Sequence, residues 1–179
     1  MQKRLIIVIT ILSTVGLSTF ARGQATYRAT LDATWSSSTH STAYPTGAHF
    51  SPLIGATHDA SVSLWTAGGI ASPGIESMAE SGSTSTLRNE IVAAIGSDHI
   101  VSGSGLGAPD SAMLSFDVTS DSSLITLVTM VAPSPDWFVG VSGLELRDAN
   151  GWRSTVTIDL HAYDSGTDSG VDFRSQNAD

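Results

Sequence analysis

YRATLDATW, residues 27–35, carries the reading of the fold. Tyr27, Ala29, Leu31, Ala33 and Trp35 are apolar, and the residues between them, Arg28, Thr30, Asp32 and Thr34, are polar. A period of two sends alternate side chains to opposite faces of an extended chain, so one face lies on a core and the other meets water. The rhythm recurs at Val62 and Leu64, at Leu114, Phe116 and Val118, at Leu144 and Leu146 around Glu145, and at Val156, Ile158 and Leu160. SLITLVTMV, residues 123–131, is apolar on both faces and predicts a central strand covered on both sides. One segment has another period. Leu87, Ile91 and Ile95 recur every four residues between the hydroxyl run 83–86 and Gly96, which predicts a short amphipathic helix with a hydroxyl N-cap and a glycine stop. Many strands and one short helix predict an all-β fold, an antiparallel β-sandwich, because two apolar sheet faces must cover each other.

The N-terminus stands apart from this pattern. Gln2-Lys3-Arg4 leads into an apolar run from Leu5 to Leu17, and Ala21-Arg22-Gly23 supplies small residues at a cleavage position. This is the layout of a secretory signal peptide, residues 1–23, with cleavage expected after Gly23. The run falls short of the roughly 20 apolar residues of a spanning helix. Residues 24–179 then form one domain, with no internal repeat or linker and a polar tail from Arg174 expected to fray. The chain has no cysteine, so the core must hold without disulfides. Lys3, Arg4 and Arg22 lie in the leader, so 5 basic residues stand against 17 acidic ones in the remainder, a formal charge of −12. That sign disfavours nucleic acid and anionic membrane and tolerates divalent cations, although acidity also serves solubility alone.

The familiar catalytic patterns fit poorly. GVSGL, residues 140–144, lacks the final glycine of a nucleophile elbow. His40, His49 and His58 lack helical zinc spacing and have no cysteine to assist them, so they are expected to be hydrogen-bonded or exposed structural residues. Trp35, Trp65, Trp137 and Trp152 sit mostly in or beside strand patterns and are expected in the core rather than on a sugar platform. The aspartates differ. YDSGTDSGVD, residues 163–172, spaces Asp164, Asp168 and Asp172 four apart among small residues, and APSPDWFVG, residues 132–140, places Asp136 just before another strand. Loops of this kind offer carboxylates, hydroxyls and carbonyls to a hard cation such as Ca²⁺, and sandwiches gather loops at one end. Aspartates that cap their own turns explain the same pattern, and the spacing is not that of an EF-hand.

Over nearly the whole of residues 24–179 the sequence resembles the spondin domain of the F-spondin/mindin group. The resemblance rests, in order, on Trp35-Ser36 with Thr39-His40, AHFSPLIGATH (48–58), LWTAGGIASPGIESMAESG (64–82), APSPDWFVGV (132–141), Gly151-Trp152 and YDSGTDSGVDF (163–173). It implies a C2-like antiparallel β-sandwich with one Ca²⁺ held by Asp136, Asp164 and Asp168, a backbone carbonyl beside Asp164 being unassigned. Asp172 falls outside the matched ligand pair and is expected to cap a turn. Animal members carry cysteines near the Gly-Trp pair, where this chain has Arg147 and Asn150, and they append thrombospondin type 1 repeats and sometimes a reeler domain, which this sequence lacks. The resemblance implies a secreted, non-enzymatic, calcium-binding adhesion or recognition module for extracellular matrix or cell-surface glycan or protein ligands. It implies no nucleic-acid partner and no membrane insertion after the leader is removed. The alternatives are a secreted hydrolase on glycans or esters and a purely structural surface or matrix component.

Overall fold

The computed structural model describes residues 5–11, 23–42, 44–176 and 178. In chain order the strands are β1 (Leu5–Ile11), β2 (Gln24–Ala33), β3 (His49–Phe50), β4 (Ile54–His58), β5 (Ile100–Ser102), β6 (Leu106–Gly107), β7 (Asp110–Thr119), β8 (Leu124–Ala132), β9 (Trp137–Glu145), β10 (Arg147–Asp148), β11 (Gly151–Trp152), β12 (Thr155–Leu160) and β13 (Ala162–Asp164). Helices α1 (Pro73–Ser81) and α2 (Ser85–Ile95) lie between β4 and β5. All of the pairings are antiparallel. One large sheet runs β12-β1-β2-β7, a second runs β13-β9-β8-β3-β6 with β4 pairing both β8 and β5, and β10 and β11 form a separate two-stranded sheet.

β8 shows why SLITLVTMV is apolar on both faces. Its Ile125, Leu127 and Val131 join Tyr27, Leu31 and Phe116 between the two sheets. Its Val128, Met130 and Ala132 face the other way and pack with Ile75, Met78, Leu87 and Ile91 of the helices. The molecule is therefore a sandwich with a helical layer on one outer face, and β8 serves both interfaces.

The sequence leads to one α-helix, and the described residues contain two. In α1, Pro73 occupies the first turn and Gly82 ends the helix in the left-handed region at φ 71°, so the punctuation that reads as loop is here the start and stop of a nine-residue helix. Ser72 Oγ accepts from the Ile75 amide at 3.2 Å and donates to Glu90 Oε2 at 2.7 Å, while Glu90 Oε1 accepts from the Gly74 amide at 2.7 Å. A carboxylate from α2 thus satisfies one open amide and the capping hydroxyl at the positive end of α1 and joins the helices. The strand expected at Val62 and Leu64 is absent. Asp59 Oδ1 captures the Ser61 amide at 2.7 Å and the Val62 amide turns back to the Asp59 carbonyl at 3.4 Å, which makes a turn. The tail is also tied down: the Ser169 amide donates to the Ala178 carbonyl at 3.1 Å, and Phe173 packs on Trp35 and Trp137.

Of the expected leader, residues 1–4 and 12–22, including Ala21 and Arg22 of the cleavage position, lie outside the described residues. Leu5–Ile11 forms β1, between β2 and β12. Among the described residues no helix is long and apolar enough to cross a membrane.

Tyr27 ties the sandwich across its thickness. It is 0% exposed, and its hydroxyl donates to the carbonyls of Leu146 at 3.0 Å and Arg153 at 2.7 Å. Burial pushes its pKa from 10.0 up to about 12. The folded-state value is raised, so the neutral phenol contributes its full stability below pH 10 and loses it as pH rises toward 12. Urea denaturation should show wild-type stability falling across that window and a shallower fall for Tyr27→Phe. At neutral pH the variant should be less stable by about 1–2 kcal/mol, because its two acceptors lose their donor.

Candidate metal centre

Two loops meet because their strands pair. β9 starts at Trp137, where the Trp137 amide donates to Ser134 Oγ at 3.1 Å, and this turn sets Asp136 at the mouth of the strand. β13 ends opposite that point, with Asp164 in register with Trp137, and the Ser165 amide donates to the Asp136 carbonyl at 3.2 Å. The SGTDSG segment then wraps over Asp136, with Gly166 in the left-handed region at φ 75°, where a side chain would be strained.

Asp136 is the centre of this arrangement and is 0% exposed. Its Oδ2 accepts from Ser165 Oγ at 2.9 Å, the Thr167 amide at 2.9 Å and the Asp168 amide at 3.3 Å. Its Oδ1 is buried with no hydrogen-bond partner among the described residues. A carboxylate oxygen out of water and without a partner carries a desolvation cost that a cation would offset. The nearby donors are all oxygen, including Ser165 Oγ and Thr167 Oγ1, which lie 2.7 Å apart. This chemistry fits a hard divalent cation rather than zinc or copper.

The other two aspartates are near but turned to the backbone. Asp164 is exposed, and its Oδ1 accepts from the Gly166 amide at 2.9 Å. Asp168 Oδ1 accepts from the Gly170 amide at 2.6 Å, and its Oδ2 from the Ala178 amide at 2.7 Å. Among the described residues no three Asp, Glu or His side chains converge as a formed metal cluster would. The loops therefore come together while the carboxylates of Asp164 and Asp168 make the turn-capping bonds that sequence reasoning kept open. Asp172 caps a turn, its Oδ1 accepting from the Arg174 amide at 2.7 Å. The hydroxyls of Ser165 and Thr167 were not among the expected site residues. Their signal lay in the residues between the two aspartates, which bracket the Asp136 carboxylate.

The histidines have local duties. His58, 2% exposed, bonds Thr126 Oγ1 through Nε2 at 2.8 Å and the Asp59 carbonyl through Nδ1 at 2.8 Å. His40 Nδ1 meets Thr39 Oγ1 at 2.9 Å, and His49 Nδ1 meets the Gly47 carbonyl at 2.8 Å. An open depression of about 430 Å³ is lined by His49, Ser51, Ser81, Gly82, Leu106 and Met130 among others, and among the described residues no carboxylate lines it. Of the tryptophans expected in the core, Trp35 is buried, while Trp65, Trp137 and Trp152 are half-buried and pack against its edge. Trp35 lies against Tyr44, Phe50 and Phe173, Trp65 against Phe138 and Tyr163, Trp137 against Phe173, and Trp152 against Tyr27 with the Arg147 guanidinium 5.0 Å from its ring centre.

A family model described as Spondin_N matches residues 25–179. The chain belongs to the spondin family. Human Spondin-2 is 38% identical over 168 residues, covering 88% of this chain and 50% of its own length. Human Spondin-1 is 37% identical over 169 residues, covering 88% of this chain and 21% of its own length, and chicken Spondin-1 is 36% identical over 169 residues. This spondin chain thus spans about half the length of the Spondin-2 relative and about a fifth of Spondin-1. Both acidic loops and both helices fall within the spondin match, whereas β1 lies before its start at residue 25.

Proposed function

We propose that this spondin chain is secreted with loss of residues 1–23 and acts as a non-enzymatic, calcium-binding adhesion or recognition module. Its ligand would be a matrix or cell-surface glycan or protein. The observation that carries the reading is the buried, unpartnered Oδ1 of Asp136 at the junction of two acidic loops. Asp136 would be the anchoring ligand, and Asp164 and Asp168, one turn of loop away, would complete the oxygen set by exchanging amide partners for the ion. When bound, Ca²⁺ would supply positive charge to these carboxylates.

The residues of the chain do the rest. Ser165, Thr167 and the Asp168 amide hold the Asp136 carboxylate in one orientation. The β9–β13 pairing keeps the two loops in register. Loops fixed before a ligand arrives lose less conformational entropy on binding, so calcium would raise affinity by preorganisation. The family resemblance supports the adhesion role.

The test is adhesion of the secreted protein to immobilised matrix and to cell-surface glycans, in calcium and in chelator. Binding that needs calcium and is lost in Asp136→Asn supports recognition through these loops. Binding indifferent to chelator would refute the coupling. Calcium-dependent stability with no adhesion would favour a structural component instead.

A further inference from the structure

β1 occupies the seat between β2 and β12, and it belongs to the segment read as a leader. Resting on the leader removal proposed above, we infer that the secreted protein carries an open one-strand slot between β2 and β12, and that the slot binds an extended apolar strand of another polypeptide. Residues 5–11 supply the pattern of the occupant. Leu5 to Leu160 and Thr10 to Thr155 are in register on one side, and Ile6 to Asp32 and Ile11 to Tyr27 on the other. Strand neighbours lie about 4.8 Å apart, so removing β1 leaves β2 and β12 about 10 Å apart with facing rows of unpaired amides and carbonyls.

The frame does not close easily. β1 is antiparallel to both neighbours, so β2 and β12 run parallel to each other, and direct pairing would require β12 to move by a full strand spacing. β2 is fixed on its far side by ten residue pairs to β7, Gln24↔Thr119 through Ala33↔Asp110. β12 is held beyond both ends. Before it, the Arg153 amide donates to the Leu146 carbonyl at 2.9 Å. After it, β13 pairs with β9, Ala162 opposite Val139. Moving β12 toward β2 would break these ties. The spondin match begins at residue 25, so the recurrent domain is defined without β1.

The seat also states what chemistry fits it. Register positions opposite the core-facing Leu31, Ala29 and Tyr27 are taken by Ile7, Ile9 and Ile11. An occupant must then be uncharged, rich in β-branched residues and apolar at alternate positions, and it must run antiparallel to both walls. The formal charge of −12 on residues 24–179 favours basic residues flanking that strand, as Lys3-Arg4 flank β1.

The experiment uses the chain collected from the medium of a secreting host and a synthetic peptide of residues 3–11, KRLIIVITI, added in trans. Intact mass is read first, then amide hydrogen exchange with and without peptide. The expected result is a chain lacking residues 1–23, fast exchange in Thr155–Leu160, and at least a tenfold slowing there and along β2 on adding peptide. A peptide carrying Val8→Pro, which removes a ladder donor and stiffens the strand, should give no slowing. A processed chain whose β12 amides are already protected, or do not respond to peptide, would overturn the slot and leave the secretion reading standing. A secreted chain at full mass would overturn both the leader removal and the slot. Calcium titration of the same sample reads the metal site independently of either result.

Discussion

Asp136→Asn should leave the calcium-free domain folded and as stable as wild type, while abolishing the rise in Tm that calcium gives wild type. The amide oxygen of Asn can still accept from Ser165 Oγ and the Thr167 and Asp168 amides, which all converge on one carboxylate oxygen. The other oxygen, buried and without a partner among the described residues, becomes an amide nitrogen, so the ion loses its anchoring charge while the loop keeps its bonds. The three accepted bonds are kept, so metal-free stability should stay within about 1 kcal/mol of wild type. In wild type, calcium at 100 times its Kd should add about 2.7 kcal/mol, and in the variant nothing. Asp136→Ala is the contrasting change. It removes the acceptor from three donors at once and should cost about 3 kcal/mol or more even in chelator. Thermal unfolding of the three proteins in calcium and in chelator checks both statements.

Gly55→Ala should be more damaging still and should fail to give a folded domain. A Cβ at residue 55 would overlap the carbonyl oxygen of Thr126 and come within 2.9 Å of Leu127 Cα, both on the backbone of β8. Backbone cannot rotate aside as a side chain can, so β4 would have to lift off β8 along the pairing from Ile54 to His58. That would expose Ile54 and Ala56, both 0% exposed, and break the His58–Thr126 bond. Overpacking a core commonly costs 1–3 kcal/mol, and a clash with the backbone of the central strand should exceed about 3 kcal/mol, a large share of a domain's stability. Gly140→Ala presses on the Leu127 carbonyl from the β9 side and should behave alike. Circular dichroism and urea denaturation of the purified variants are the measure. Gly47→Ala serves as the control, since no atom lies within 4 Å of its added Cβ and only its φ of 75° is strained.

Side-chain periodicity made the sandwich legible, because the period of YRATLDATW and the two-faced SLITLVTMV follow from which faces of β2 and β8 are covered. It did not make α1 legible. Only Ile75, Met78 and Ala79 supply its apolar stripe, and Pro73 and Gly82 mark helix ends with the same residues that mark loops. Val62 and Leu64 alternate like a strand, yet Asp59 supplies a local acceptor that bends the chain first. At the site, small residues around Asp164 and Asp168 signalled a wrapping loop, and Asp136 before a strand signalled its partner. The aim of each carboxylate depends on which amide is nearest, and the setting of Asp136 depends on the turn of residues 165–168 that wraps it, neither of which periodicity records. LIIVITI was the most ambiguous stretch, because the apolar core of a leader and a buried strand call for the same uninterrupted residues.

Isothermal titration of calcium into the metal-stripped secreted chain tests the central claim most directly. The account predicts a single site, with affinity in the range of extracellular modules, roughly 0.1–1 mM. It should be absent in Asp136→Asn and lost or weakened when Asp164→Ala and Asp168→Ala are combined. No binding up to several times that concentration, or binding that Asp136→Asn leaves unchanged, would contradict it.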